Sequence, residues 1–177
     1  MLKKLIGTMT VAAFLAVPAR QAAAQLEKGY TDVGVVAGFG SIGGSSLALG
    51  GRFERIIKEL PNMGGGTLGI GVGVTRYSFS SVYYSVSYLP IGVTGNYHFK
   101  LENKKIDAFV GAGLGYQLIT CNDKSGVIGN LGCNYSSGIY FVGRAGGRYF
   151  LSDKLAAYAD VGAGGAAINV GVTFRLK

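Results

Sequence analysis

Alternation with a period of two dominates the chain from Thr31 onward. Thr31, Val33, Val35, Ala37 and Phe39 share one face of an extended segment, opposite Asp32, Gly34, Val36, Gly38 and Gly40. After a tight turn at Ser41-Ile42-Gly43-Gly44, a second segment, about 45–55, sets Leu47, Leu49, Gly51 and Phe53 against Ser46, Ala48, Gly50, Arg52 and Glu54. A third, about 67–77, opposes Leu68, Ile70, Val72 and Val74 to Gly69, Gly71, Gly73, Thr75 and Tyr77. The fourth ends at Phe99, and Pro90 near its start predicts a bulge or a frayed end because proline donates nothing to a ladder. The fifth (about 107–118), sixth (about 139–151) and seventh (about 155–162) follow the same rule. The last, Asn169 to Leu176, carries Val170, Val172, Phe174 and Leu176 on one side and Asn169, Gly171, Thr173 and Arg175 on the other. Between them, 56–66 leaves room for a helical turn, 78–84 reads as a polar and aromatic loop, and 120–136 is the longest connection. Eight strands joined by hairpins predict an all-β, antiparallel up-and-down meander, whose last strand must pair with the first if the sheet closes.

Charge decides which face is inside. Asp32, Arg52, Glu54, Asp107, Arg144, Arg148, Asp160 and Arg175 all fall on the glycine-bearing face, while Arg55 and Arg76 on the other sit at strand ends. So many ions in a dry core would each cost several kcal/mol unless paired, whereas four acids and four arginines neutralise one another in a polar lumen. The charged face is therefore predicted to line a lumen and the apolar face to meet lipid, the inverse of a soluble barrel. Aromatics support this, because outward Phe53, Tyr97, Phe99, Tyr149 and Phe174 gather at one end and Phe39, Tyr116 and Phe141 at the other, as two girdles. The fold expected is an eight-stranded antiparallel transmembrane β-barrel. Its interior is just wide enough to be filled by side chains, so the inward glycines read as room for aromatics and arginines, with a pocket or narrow channel as the alternative.

The first residues change the picture next. Met1-Leu2-Lys3-Lys4, an apolar run to Val17 and the small-residue site Ala22-Ala23-Ala24 predict a cleaved secretory signal peptide, 1–24, ahead of a single barrel domain, 25–177. Gln25 after the cut is no lipidation site. Losing Lys3, Lys4 and Arg20 lowers the formal charge of +8 by three, to +5, and the strand positions of what remains do not make a nucleic-acid patch. No later run reaches the roughly 18 apolar residues of a membrane helix. Glycine, 31 of 177 residues, far exceeds the ordinary share of about 7% and has no collagen period.

Phe109-Val110-Gly111-Ala112-Gly113-Leu114-Gly115-Tyr116 and the terminal Asn169-x-Gly171-x-x-Phe174-x-Leu176 complete the pattern. With the leader and eight alternating strands, the mature chain resembles the small eight-stranded outer-membrane barrels, the class of the outer membrane protein A transmembrane domain and the opacity-type porin family. That resemblance implies location in the cell outer membrane and a monomer embedded in outer-membrane lipid. It also implies delivery by periplasmic chaperones and the barrel-insertion machinery, which reads Asn169, Gly171, Phe174 and Leu176 as an assembly signal. Lys177 departs from the aromatic that usually ends such signals.

Chemistry-bearing residues are few. Cys121 and Cys133 lie in the longest connection of an exported chain, so a disulfide worth about 3 kcal/mol to loop order is expected; two cysteines without a neighbouring histidine make no metal set. His98, the single histidine, falls inward beside Asp107 and Arg148. Ser85 and Ser87 lie roughly 30 Å up the same strand, so no nucleophile–base–acid group forms, and Gly111, Gly113 and Gly115 recur too regularly for a dinucleotide loop. No catalytic, metal or cofactor residue is predicted. Among the charges, Asp32 and Arg175 are expected to pair across the closing seam, and Arg144 and Arg148 to flank Asp160, in a network that plugs the lumen. Three functions remain open: a structural or interaction protein acting through its outer loops; a small diffusion channel or binder of a hydrophobic solute; and, weighing less, a lipid-modifying barrel enzyme. A secreted lipocalin-like barrel is the soluble counterpart.

Overall fold

A computed structural model describes residues 26–42, 45–82, 84–123 and 136–177. The expected signal peptide, 1–24, and Cys133 lie outside them. Eight strands follow in chain order: β1 (Thr31–Ile42), β2 (Ser45–Leu60), β3 (Gly66–Ser80), β4 (Tyr84–Phe99), β5 (Ile106–Asp123), β6 (Gly138–Phe150), β7 (Leu155–Ala163) and β8 (Ile168–Arg175). Every neighbour is antiparallel, and β8 pairs with β1 to close the barrel. The closing register runs from Asp32 opposite Arg175 to Phe39 opposite Ile168. The chain is thus an all-β, eight-stranded antiparallel barrel of the transmembrane kind.

Three stretches expected to be loops begin as strand. β2 continues to Leu60, past a bulge between Ile56 and Lys58 in its ladder with β3. The extra residue reverses the facing, so Ile56 is buried inside while Glu59, opposite inward Thr67, again faces the lumen mouth. That reversal breaks the alternation that marks a strand in sequence. No helical turn occupies the connection; Pro61–Gly65 turns the chain, with Gly64 and Gly65 at φ 68° and 70°, where a side chain would be strained. The β3–β4 hairpin extends to Ser80 opposite Ser85, and β5 runs on to Asp123. In these extensions the polarity inverts. Val86 is buried within, among Ala48, Tyr77, Tyr88 and Ala166, while Ser78, Ser80, Thr120 and Asn122 face out. Pro90 causes neither a bulge nor a frayed end, for it pairs with Gln117 mid-strand without a register shift. Its effect is confined to the β3 ladder, where pairing lapses between Val74–Ile91 and Tyr77–Tyr88 and resumes in register.

Across the middle of the barrel the outward residues are apolar and exposed, among them Val35, Leu49, Ile70, Val93, Leu114, Val161 and Val170. Phe53, Phe99, Tyr149 and Phe174 stand exposed toward the end that carries both termini, and Phe39, Tyr116 and Phe141 toward the other. The buried side chains lie inside.

Candidate functional site: the charged lumen

Alternation on β1, β2, β5 and β6 aims five charges, Asp32, Arg52, Glu54, Asp107 and Arg148, at one level of the lumen, and barrel closure brings them together. Arg148, whose side chain is wholly buried, is the hub. Its Nη1 donates to Asp107 Oδ2 at 2.6 Å and its Nη2 to Glu54 Oε2. Nε stands 3.2 Å from Asp32 Oδ2, an ion contact without hydrogen-bond alignment. Arg52 joins two of the same acids, Nη1 to Asp32 Oδ1 at 3.2 Å and Nη2 to Glu54 Oε2 at 2.7 Å. His98 completes the layer with Nδ1 2.9 Å from Asp107 Oδ1 and Nε2 3.1 Å from Glu54 Oε1. The layer thus gathers three acids, Asp32, Glu54 and Asp107, around Arg52, Arg148 and the His98 ring. Asn96 also donates to Glu54 Oε1.

A second layer lies nearer the opposite end. Asp160 accepts from Arg144, from the Tyr158 hydroxyl and from Asn169 Nδ2 at 2.8 Å, while Arg144 Nη1 donates to the Ala166 carbonyl at 2.7 Å. Tyr158 links the layers, because Arg52 lies over its ring at 4.2 Å from the centroid. Between them a cavity of about 110 Å³ is lined by Arg52, Asn96, Tyr140, Arg144 and Asp160 among others. Apolar clusters cap both ends of the lumen. Leu26, Tyr30, Ile56, Phe150 and Ala156 pack together at the termini end. At the other, Tyr77 stacks on Tyr88 at 4.8 Å between centroids. The carboxylates are filled by guanidinium and imidazole groups, and among the described residues no group of His, Cys, Asp and Glu is arranged to hold a metal ion.

Seven of the eight predicted lumen charges meet in these layers, with two changes of partner. Arg148 reaches Asp32, Glu54 and Asp107 rather than flanking Asp160. Arg175, opposite Asp32 in register, forms no ion pair with it. Its side chain is exposed at the rim, with Nε donating to the Lys177 carbonyl at 3.1 Å and the guanidinium 5.2 Å from the Tyr30 ring centre. Of the terminal motif, Phe174 and Leu176 are exposed outward, whereas Asn169 is spent inside on Asp160. Asn96 and Tyr30 were not singled out by sequence, and Tyr158 was read only as one of the inward aromatics; the signal for all three was parity, since each lies inward on or just before a charged strand. Among the described residues no cysteine is free, and the expected bridge of Cys121 to Cys133 lies outside the described residues. Ser85 and Ser87 lie opposite Ser80 and Ser78 in the far hairpin, remote from His98.

No family model and no curated protein matches the chain by sequence. Solved structures do match in fold. A de novo designed transmembrane β-barrel superposes with a TM-score of 0.56 at 17% identity, covering 86% of this chain and 99% of the design. The N-terminal β-barrel domain of Pseudomonas aeruginosa OprF gives 0.55 at 15%, covering 84% and 98%. Ail, the attachment invasion locus protein of Yersinia pestis, gives 0.52 at 13%, covering 84% and 96%. At such identities the likeness is one of architecture: the chain has the fold of the small eight-stranded transmembrane barrels.

Proposed function

We propose that the protein is an integral outer-membrane barrel whose lumen is plugged by the two charged layers and which acts through the loops at the end away from its termini. One observation carries the reading. Outward side chains are apolar between the two aromatic rings and become Ser78, Ser80, Thr120 and Asn122 beyond Tyr116, while the inward side makes the opposite change, from Arg52 and Glu54 to Tyr77, Val86 and Tyr88. A wall facing water throughout has no reason to invert; one crossing a slab of hydrocarbon does. The termini would face the periplasm, with a Cys121–Cys133 bridge restraining the longest outer loop, read as a mass lower by two hydrogens. Outward Phe174 and Leu176 would be offered to the insertion machinery, and lipid, rather than nucleic acid or a second copy, is the surrounding partner. The fold neighbours and the separation of His98 from any serine favour a non-enzymatic role.

Extraction tests the membrane reading. The protein is expected to sediment with envelopes after a carbonate wash, to need detergent for release and to migrate faster on gels before boiling than after. A monomer soluble without detergent would overturn it. The cavity between the layers favours a second reading, a narrow channel, which regular conductance steps of the unmodified barrel would support.

A further inference from the structure

A cleft of about 460 Å³ opens at the termini end, beneath β3, β4 and β5. It straddles the lower edge of the wall. Inward Thr67, His98 and Asp107 form its floor, and outward Phe99 and Ile106, with Leu101, form a side continuous with the apolar band; these three are 44%, 40% and 41% exposed. Its polar lining is of two kinds. Lys100 and Lys104 come from the β4–β5 turn, and neither has an ion-pair partner among the described residues; Glu27 and Glu59 come from the N-terminal segment and from β2 beyond its bulge. Glu59 Oε1 accepts only the Lys28 amide at 3.2 Å. The hydroxyl of Thr67, buried at 9% exposure, has no partner and lines the cleft.

Two ammonium groups, two carboxylates, an unused hydroxyl and an apolar exit describe a ligand carrying a phosphate, a primary amine and a hydrocarbon chain. We propose that the cleft seats the headgroup of an aminophospholipid of the phosphatidylethanolamine type. Lys100 and Lys104 hold the phosphate, Glu27 and Glu59 accept from the ammonium, and the acyl chains leave over Phe99 and Ile106. The apolar wall selects a lipid over a free phosphate ester, which would leave it wet. The ammonium selects against a choline headgroup, whose quaternary nitrogen has no N–H to donate. The inference rests on the membrane reading and extends it to a specific lipid site.

The mature protein is refolded into discs containing equal parts of ethanolamine, glycerol and choline phospholipids with identical chains. Lipid retained after mild detergent stripping is then weighed on the intact complex by mass spectrometry. Ethanolamine lipid is expected to be retained over both others by on the order of tenfold, the effect of one or two charge contacts. Glu27→Gln with Glu59→Gln should bring the ratio to parity, and Lys100→Gln with Lys104→Gln should lower retention of all three lipids together, while the heat-shifted gel migration persists in both. Parity in the unmodified protein, or a preference for the glycerol lipid, overturns the site. So does equally strong competition by glycerophosphoethanolamine, which would make the ligand a soluble ester. Failure to enter discs at all would instead sink the membrane reading.

Discussion

Arg148 and Arg175 are the same residue type on the same face of the sheet, yet the barrel uses them differently. Arg148 touches three carboxylates from β1, β2 and β5 with its side chain fully buried. Arg148→Leu fills similar space but leaves three acids facing Arg52 and His98 alone. It is expected to cost about 3–5 kcal/mol, the range for breaking a buried ionic group, read as a lower midpoint in urea unfolding from micelles. Arg175→Ala loses an exposed contact with Tyr30 and should cost less than about 1 kcal/mol; equal losses from the two variants would refute the hub. Sequence parity placed Arg148 inside, but choosing its partners needed depth as well as face. An eight-stranded lumen is narrow enough that groups meet across it, so Arg148 on β6 reaches Asp32 on β1. Neighbour-strand counting had favoured Arg175 instead. Arg175 occupies the last rung of the ladder, where no further wall encloses it.

Strand glycines serve two purposes, and only one was legible in the sequence. Gly115 makes room for a side chain, since a Cβ there would fall on the Tyr140 ring. Gly113, on the same face of β5, is different: a Cβ would overlap the Val93 carbonyl oxygen and crowd the Thr94 backbone. The tight coiling of a small barrel brings one strand's backbone over its neighbour, which composition and alternation do not report. Gly73 faces inward too, with nothing within 4 Å of its would-be Cβ. Gly113→Ala is therefore expected to cost about 1–3 kcal/mol or to leave the chain heat-insensitive on gels. Gly73→Ala should be neutral or stabilising by up to about 1 kcal/mol through the unfolded chain. Refolding yield and urea midpoint in the same detergent check both, and equal behaviour would show that backbone approach does not set the glycine content. Strand ends were misread for a related reason. Alternation finds a strand only while its two faces differ in one constant sense, and here that sense reverses at the aromatic ring beyond Tyr116 and at the Ile56 bulge.

On the plugged-lumen reading proposed above, the interior along the barrel axis is a series of seals. The Tyr30–Phe150 cluster, the Arg148 layer, the Asp160 layer and the stacked Tyr77–Tyr88 pair follow one another, interrupted by one cavity of about 110 Å³. That volume holds a few waters and lies between the two ionic layers, with Arg52 on one side and Arg144 and Asp160 on the other. Layers in series pass current only when every one of them is open. Tyr77→Ala with Tyr88→Ala opens the aromatic seal and leaves Arg52, Arg148 and their acids across the lumen. Arg52→Ala with Arg148→Ala loosens the ionic seal and leaves the tyrosines. Each double variant is therefore expected to be electrically silent in planar bilayers, like the unmodified barrel, because the layers left in place still cross the lumen. The tyrosine pair carries the decisive measurement: heat-shifted migration shows that it is folded, and its conductance then reads the layers left in place. Steady current through that variant would mean that water and ions already pass the Arg148 network. The plug would then reside in the tyrosines, and the charges would serve stability rather than closure.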